Sequence, residues 1–383
     1  MLKNSTSTKS KMYWVRKIKS EILLTPLSWL YGGITALRNF LFDRNILPSE
    51  NFPLPIICVG NITVGGTGKT PAVEYLIDLL EDKYHLATLS RGYKRRKGGF
   101  LLVTPEHTAA DVGDEPCQLK HKYPFLTVAV DANRRRGLRN LFAPMNDEAT
   151  LWTDTDKRPQ VIILDDAMQH RYVTPSLTVM LTSYNNLYYR DKMLPAGNLR
   201  EAASNDKRAD IVVVTKCGDL SPDEAQRIEA ETGRTINQSL FFSDIQYLDL
   251  QPLYTSLVKQ NSMNFTSLID KDVDIVLITG IANPQPLIDK LNTASSRVHL
   301  FSFPDHHSFT KKDIEYIDLK FRTLSDKKRL LITTEKDAMR LKMLDYLPNT
   351  WKPVMYYAPI RMKFLFGSAE RFNFRILNHI LSK

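Results

Sequence analysis

The stretch Thr63-Val64-Gly65-Gly66-Thr67-Gly68-Lys69-Thr70 decides the fold of this chain. It follows a short apolar run, Pro55 to Val59, and precedes a helix-like segment from about Thr70 to Leu80. Glycines in such a strand-to-helix turn let backbone N–H groups curl around phosphate oxygens, and the helix N-terminus adds partial positive charge. The first position is Thr63 where the strict pattern has glycine. We predict that residues 63–70 bind the phosphates of ATP, with Lys69 on the terminal phosphates and the Thr70 hydroxyl on Mg²⁺.

Short apolar runs alternate with helix-like segments along the rest of the chain. Runs of this kind are typical of strands buried on both faces of a parallel sheet, and the alternation predicts an α/β fold with a doubly wound sheet of the P-loop NTPase type. A change of texture after Lys216 predicts a boundary near residue 220, between a P-loop domain with an N-terminal membrane-associated helix (1–220) and a smaller α/β domain (221–383). The predicted strands are 55–59, 86–89, 125–130, 161–164, 177–181, 211–214, 275–279, 298–303 and 329–333.

Two carboxylates follow one of these runs directly. Asp165 and Asp166 come after the apolar residues 161–164. In open α/β sheets the ligand crevice lies at the carboxyl ends of the strands, so these side chains are predicted to hold Mg²⁺ beside the phosphates. The alternative for one of the two is a helix cap.

The composition limits the classes of partner that the chain can bind but does not identify one. The 383 residues carry a net charge of +10, which favours an anionic partner such as nucleic acid, acidic lipid or a phosphorylated substrate. The three cysteines, Cys58, Cys117 and Cys217, are too scattered for a structural zinc site and indicate a reducing compartment.

The N-terminal region combines basic and apolar residues. Basic residues precede an apolar stretch from Ile22 to Leu37 that contains Trp29 and Tyr31, and Arg38 ends the stretch too early for a membrane-spanning helix. The helical spacing of Leu23, Leu27, Leu30, Ile34, Leu37 and Leu41 favours an amphipathic helix in a membrane interface. The alternative is a helix packed on the core of the protein. Two basic runs, 94–97 and 134–136, either face anionic lipid or are solvated.

Further short runs occur in a fixed order from about residue 55 to residue 340. They are Val59-Gly60-Asn61, Gly65-Gly66-Thr67-Gly68-Lys69-Thr70-Pro71, Ser90-Arg91-Gly92-Tyr93, Gly113-Asp114-Glu115-Pro116, Asp165-Asp166 with Gln169-His170, Leu194-Pro195-Ala196-Gly197 with Leu199-Arg200-Glu201, Phe303 with Asp305-His306, and Thr334-Glu335-Lys336-Asp337. Together they resemble the tetraacyldisaccharide 4′-kinase (lipid A 4′-kinase) family. Ala167 and Met168 replace the family's usual Gly-Phe, and Asn198 stands where Pro is frequent. These departures alter turn geometry without removing a chemical group.

The resemblance implies an activity and a location. The family transfers the γ-phosphoryl of ATP to the 4′-hydroxyl of tetraacyldisaccharide 1-phosphate and forms the bis-phosphorylated lipid A precursor, lipid IVA. It works peripherally at the cytoplasmic face of the inner membrane of Gram-negative bacteria. The implied partners are therefore the glycolipid and the membrane surface, with no nucleic acid and no obligate protein partner.

The resemblance also implies roles for individual residues. His306, oriented by Asp114, would be the base that activates the sugar hydroxyl, and Lys69 would act on the transferred phosphoryl. Glu115 would share Mg²⁺ ligation with Thr70, Asp165 and Asp166, without a ranking among the carboxylates. Substrate binding is expected of Asn61, Ser90, Arg91, Tyr93, His170 and Arg200. Surface ion pairs are the alternative for the arginines, packing is the alternative for His170, and His307 is the obvious decoy for His306.

Two rival functions stay open at this level. One is a regulatory P-loop GTPase or metallochaperone ATPase, because Thr215-Lys216-Cys217-Gly218-Asp219 echoes a guanine-reading motif. In that echo Thr replaces the usual Asn, and the aspartate stands one residue too far from the lysine. The other rival is a nucleic-acid-dependent ATPase, which the net charge suggests but no recognition motif supports.

Overall fold

The computed structural model describes most of the chain. It covers residues 5–96, 98–143, 158–233, 235–258, 262–271, 273–295, 297–324 and 329–383, with only the backbone described for 5–22 and 269–271. The strands are β1 (Ile56–Gly60), β2 (Leu86–Ser90), β3 (Leu101–Leu102), β4 (Thr127–Val130), β5 (Val161–Asp165), β6 (Leu177–Ser183), β7 (Ile211–Thr215), β8 (Ser239–Tyr247), β9 (Gln251–Pro252), β10 (Asp274–Thr279), β11 (Val298–Ser302), β12 (Arg329–Thr334), β13 (Met355–Ala358) and β14 (Ile360–Phe364).

The α-helices alternate with these strands. They are α1 (Ser5–Asp43), α2 (Lys69–Leu80), α3 (Ala109–Val112), α4 (Asp114–Lys122), α5 (Arg134–Phe142), α6 (Pro222–Thr232), α7 (Gln285–Asn292), α8 (Lys311–Arg322), α9 (Glu335–Lys342) and α10 (Ala369–Leu381).

The larger sheet has the order β14-β8-β7-β6-β1-β5-β2-β4-β3. Its strands from β8 to β4 pair in parallel, and antiparallel strands β14 and β3 close the two edges. Alternate residues of β1 enter two separate apolar cores, Ile57 and Val59 on the face of α2, α4 and α10, and Ile56 and Cys58 on the face of α5 and α6. Because helices cover both faces, the strands are apolar throughout, which confirms the predicted α/β fold with a doubly wound sheet.

The smaller sheet has the order β11-β10-β12-β13-β9, and only its edge pair β13–β9 is antiparallel. Helix α7 packs on one face, and helices α8 and α9 pack on the other. The chain enters this unit after β8 and returns through β13 into β14. The two crossings therefore lie next to each other, because β8 and β14 pair with Tyr247 opposite Ile360.

The predicted boundary near residue 220 does not coincide with the change of sheet. Helix α6 packs on the larger sheet and β8 extends it, and α10 also returns to its core through Phe372, Ile376 and Ile380. Strand β8 is not among the predicted strands, since its second half is only partly buried and carries the polar residues Asp244 and Gln246. A division into two functional domains stays a proposal, with the five-stranded sheet as the second unit.

Helix α1 exposes the apolar residues that the sequence singled out. Leu23 is 79% exposed, and Leu27, Leu30, Ile34 and Leu37 are each at least half exposed. The buried residues of the helix, among those whose side chains the structure describes, are Ser28, Asn39 and, near its C-terminal end, Phe42. Its contacts with the protein include Tyr31 Oη to the Arg200 carbonyl, Arg38 Nη2 to the Gln169 carbonyl and Asn39 Nδ2 to Glu201 Oε2. Packing of the apolar stripe on the core, the alternative reading, is therefore wrong for these five residues. Within the described residues, no helix combines the length and the apolarity that a bilayer crossing requires.

The central strand β5 gives a direct test of the fold. Ile163 is fully buried there, whereas Ile236 is fully exposed in a turn. We expect Ile163→Ala to lower the free energy of unfolding by about 2–5 kcal/mol through lost transfer energy and a cavity. Ile236→Ala removes the same atoms from a solvated position and should change it by less than about 0.5 kcal/mol. Urea denaturation of both variants makes the comparison, and equal effects would contradict this sheet.

Candidate active site

The predicted phosphate loop joins β1 to α2. Gly65 and Gly68 have φ angles of 104° and 83°, a left-handed region that glycine enters without strain, and Gly68 directly precedes the first residue of α2. Lys69 Nζ lies 3.5 Å from Asn61 Oδ1 and 3.7 Å from Asp166 Oδ1. The loop thus has the backbone of an anion cradle at a helix N-terminus, with its lysine directed towards the carboxylates after β5.

The two aspartates after β5 differ in environment. Asp165 is buried, and its Oδ1 atom has no hydrogen-bond partner among the described residues. Burial, followed by the charge of Asp166, raises the pKa of Asp165 to about 7, and Lys69 and Glu115 are also among its electrostatic neighbours. Asp166 is partly exposed and contacts Arg200 Nη1 at 3.4 Å. A buried carboxylate with an unsatisfied oxygen is costly unless a cation or donor arrives, so the donor set fits a cation.

This donor set suits Mg²⁺ better than a metal held by protein alone. Among the described residues, no three or more His, Cys, Asp or Glu side chains converge as a metal site. Mg²⁺ usually takes one or two carboxylates together with substrate phosphates and waters. Asp165 and Asp166, beside the phosphate loop, would supply one or two carboxylates of this kind.

Asp114 and His306 meet although 192 residues separate them. His306 Nδ1 lies 2.6 Å from Asp114 Oδ2. Asp114 begins α4 directly after Gly113, and His306 lies in the loop after β11 with a positive φ of 62°. Burial raises the pKa of the Asp114 carboxyl, but hydrogen bonds from Arg340 and His306 outweigh it and the pKa is lowered. The pair joins the two units, because α4 belongs to the larger sheet and the His306 loop to the smaller one.

His307 has a different environment from His306. Its Nε2 lies 2.9 Å from Asp313 Oδ2, and its ring stacks on Phe303 with centroids 4.6 Å apart. Asp313 also completes the N-terminal capping box of α8. His307 is therefore held by local structure of the smaller unit, away from the contact with Asp114.

The other residues that were predicted to bind substrate differ in their exposure and in their neighbours. The Tyr93 ring is exposed and its centroid lies 6.1 Å from that of His306, and Arg91 beside it is also exposed. Ser90 ends β2, with its buried hydroxyl unpartnered among the described residues. His170 packs near Tyr172, and burial, followed by the charge of Arg134, lowers its pKa to about 4. The structure thus brings Tyr93 to His306 and Arg200 to Asp166, and it leaves His170 part-buried and uncharged near neutral pH.

Two cations of α9 escaped the sequence analysis. Arg340 donates from Nε to Asp114 Oδ1 at 3.1 Å and from Nη2 to Asp114 Oδ2. Lys336 Nζ lies 3.3 Å from His306 Nε2 and 3.4 Å from Glu115 Oε1. Lys336 and Arg340 are four residues apart, which places them on one face of a helix. This spacing is the feature of the sequence that could have identified the two residues as a pair.

Two further basic residues contact the phosphate loop and the segment after β5. Lys216 follows β7, and its Nζ lies 2.5 Å from the Gly66 carbonyl, while Thr215 Oγ1 donates to the Thr67 carbonyl at 2.8 Å. Arg134 is buried and donates to the Asp166 carbonyl at 3.3 Å, so the lipid-facing and solvated readings of this residue are both wrong. Both residues follow strands at the same sheet edge as the loop, which spacing alone did not reveal.

Comparison with known proteins agrees with this geometry. The family model described as tetraacyldisaccharide-1-P 4′-kinase matches residues 20–381. Proteins named tetraacyldisaccharide 4′-kinase from Parabacteroides distasonis and Bacteroides thetaiotaomicron are 45% and 42% identical to the chain over 365 and 369 residues. These alignments cover 95% of the chain in both cases, and 95% and 94% of the two relatives.

A solved structure is similar over nearly the whole chain. It is LpxK from Aquifex aeolicus in complex with ATP, 27% identical, with a TM-score of 0.68 over 94% of this chain and 99% of that one. The family match over most of the chain and the close relatives lead to one conclusion. This chain belongs to the tetraacyldisaccharide-1-phosphate 4′-kinase family.

Proposed function

We propose that the chain is an ATP-dependent kinase that transfers the γ-phosphoryl of ATP to the 4′-hydroxyl of a tetraacyldisaccharide 1-phosphate, forming lipid IVA in lipid A biosynthesis. Family membership supports the reaction type. The observation that carries the proposal is the Asp114–His306 contact, which brings a candidate base from the smaller unit to the larger unit that holds the phosphate loop. A regulatory GTPase needs no such base for an acceptor hydroxyl, and the family match gives that rival no support.

The phosphate loop supplies the nucleotide site. Backbone N–H groups of residues 63–70 and the N-terminus of α2 attract the phosphate oxygens, and Lys69 reaches the terminal phosphates. The LpxK relative is described in complex with ATP, which supports ATP as the donor nucleotide. In this arrangement Lys69 exchanges its contact with Asp166 for the phosphoryl group.

Mg²⁺ fits beside these phosphates. Thr70, Asp165, Asp166 and Glu115 are the residues that would hold it, and the unpartnered Asp165 oxygen is the observation in favour. When bound, the ion neutralises phosphate charge during transfer. The protein's own part is to bury Asp165 and to keep Asp166 directed towards Lys69 and Arg200.

His306 accepts the proton of the sugar hydroxyl. Its Nδ1–H is directed at Asp114, so the lone pair is on Nε2, which lies 3.3 Å from Lys336 Nζ. Nε2 exchanges that contact for the proton of the sugar hydroxyl, while the sugar oxygen forms its bond to the γ-phosphorus. The bond from that phosphorus to the bridging oxygen breaks, and ADP leaves with the electron pair. Asp114 keeps its charge and stabilises the imidazolium that results.

The remaining predicted residues surround this reaction path as substrate contacts. Arg200 is close enough to Asp166 to reach a phosphoryl group at the metal end of the site. Tyr93 is exposed beside His306 and Arg91 is exposed two residues earlier, and they offer an aromatic face and a guanidinium to the sugar and its phosphate. Asn61 is fully buried and accepts a hydrogen bond from Lys69, Ser90 is buried, and His170 is part-buried.

The exposed face of α1 supports membrane association. The contacts of α1 with the protein are made by polar residues together with Phe42, whereas the apolar residues from Leu23 to Leu37 that the sequence singled out are exposed. An apolar helix face with Trp29 and flanking basic residues suits a bilayer interface. We place the enzyme peripherally at the cytoplasmic face of the inner membrane, with the glycolipid and the membrane surface as its partners.

The base assignment predicts different outcomes for adjacent histidines. With purified protein, Mg-ATP and tetraacyldisaccharide 1-phosphate in detergent, His306→Ala should lower kcat by about 10²–10⁴-fold, because proton transfer is lost. Lys69→Ala should lose most product as well. His307→Ala, which removes the contact with Asp313 and the stacking on Phe303 but no contact with Asp114, should keep kcat within about threefold once the folded fraction is matched. Mass spectrometry follows the product, and equal losses for His306→Ala and His307→Ala would refute the assignment.

The contact of Lys216 with the phosphate loop leads to a second kinetic prediction, on the KM for ATP. Its ammonium bonds the phosphate loop, and burial, then the charge of Lys69, lowers its pKa. Lys216→Met removes a charge-assisted hydrogen bond and a cation from the loop, so the KM for ATP should rise by about tenfold. The exposed Lys311 at the start of α8 is the control, and Lys311→Met should leave this KM unchanged. A KM for ATP that is the same in both variants would contradict a role in the nucleotide site.

The membrane assignment predicts a loss of vesicle binding. Leu27→Glu with Leu30→Glu places two charges on the exposed face of α1 and should abolish co-sedimentation with vesicles that contain anionic lipid. Leu319 on α8 is 69% exposed, so Leu319→Glu is a matched control that should bind as wild type. Retained binding by the double variant, or equal loss by the control, would show that α1 is not the membrane contact.

A further inference from the structure

Arg340 is held between the two units with little exposure. Its guanidinium takes both oxygens of Asp114 on one side, and its Nη1 lies 2.9 Å from Asp337 Oδ1 on the other. Only 10% of its side chain is exposed. A planar fork that engages both oxygens of a carboxylate fixes the plane of that carboxylate as well as its position.

The far side of this contact is rigid. Asp337 is fully buried, and its Oδ2 accepts from the Gly280 backbone N–H at 2.8 Å and from Thr334 Oγ1 at 2.7 Å. Gly280 follows β10 and also accepts, through its carbonyl, the backbone N–H of His306 at 3.2 Å. Asp337 therefore aligns both Arg340 and the loop of His306, the two groups that meet on Asp114.

The contacts also select the imidazole tautomer. Arg340 Nη2 lies 3.2 Å from His306 Nδ1, and the Oδ2 atom of Asp114 contacts both. A guanidinium is a donor only, so Asp114 can accept from both neighbours while it remains a carboxylate. The 2.6 Å contact then requires the proton of the neutral ring to lie on Nδ1, which leaves the lone pair on Nε2, the atom that lies 3.3 Å from Lys336 Nζ.

We propose that Arg340 is a positioning residue of the kinase, which orients the Asp114 carboxylate and through it the proton-accepting nitrogen of His306. The inference rests on the function proposed above and assigns Arg340 no contact with substrate. It explains why a residue of the smaller unit reaches across to Asp114 on α4.

A purely structural role is the alternative, and the same two helices offer a comparison. Lys122 at the end of α4 lies 2.9 Å from Glu335 at the start of α9, and 2.8 Å from Glu74. This second ion pair also joins α4 to α9 but has no contact with Asp114. Burial raises the pKa of Glu74 to about 7, so Glu74 can take up a proton when its partner is removed. Lys122→Met is thus a matched control for loss of a contact between these helices.

The test is a double-mutant cycle with Asp114. Arg340→Met should lower kcat by roughly 10- to 100-fold and leave the KM for ATP within about threefold, since a misplaced base slows chemistry without altering the nucleotide site. Arg340→Lys, which keeps the charge and one hydrogen bond, should recover part of that loss. In the Asp114→Ala background Arg340→Met should cause no further fall, because the residue acts through Asp114. Thermal unfolding of each variant accompanies the kinetics.

The other outcomes of this experiment would refute either the role of Arg340 or the proposed function. A full additional loss in the Asp114→Ala background, or an equal fall of kcat in Lys122→Met, would make Arg340 a structural link and refute the inference. If Arg340→Met does not fold, the Arg340→Lys cycle is read by the same criterion. Wild-type protein that forms no phosphorylated disaccharide would instead remove the proposed function, and the inference with it, before any variant is compared.

Discussion

The parallel pairing of five adjacent strands is the constraint on which the site depends. In the order β7-β6-β1-β5-β2, parallel strands place their carboxyl ends along one edge of the sheet. The phosphate loop follows β1, Asp165 ends β5, Ser90 ends β2 and Lys216 follows β7. Groups from four separate parts of the chain therefore reach one crevice without any long-range motif. Their opposite charges explain why burial there is tolerated, since each cation lies near a carboxylate or a carbonyl.

The smaller unit adds a candidate base to the nucleotide site, as phosphoryl transfer to a hydroxyl requires. The phosphate loop alone can bind a triphosphate, but a sugar hydroxyl also needs a positioned base. His306 supplies one only because α9 and its neighbouring loop rest on α4. The contacts of Arg340 with Asp114 and of Lys122 with Glu335 both join α9 to α4, through charged groups that are largely removed from water. Of the two, only the contact of Arg340 reaches the pair of Asp114 and His306. Geometry at the base is thus coupled to this one contact between α9 and α4.

Sequence reasoning recovered what local pattern determines. The loop at 63–70 and the apolar strands are recognisable because glycine spacing and continuous burial leave a local signature. The pairing of Asp114 with His306 was available only through family resemblance, because no periodicity relates residues 192 positions apart. Arg340 was missed because its partners lie in another part of the fold. Strand β8 was not predicted, since polar residues in its partly buried second half mask the strand pattern.

The central claim is that the loop after β1 holds the triphosphate beside the carboxylates after β5. A crystal structure with Mg²⁺ and a non-hydrolysable ATP analogue tests it most directly. The account predicts the terminal phosphates on the backbone N–H groups of residues 65–70, with Lys69 on the γ-phosphate and the cation between Thr70 and Asp165 or Asp166. A loop that stays vacant at saturating analogue, with no nucleotide uptake by calorimetry, would contradict it.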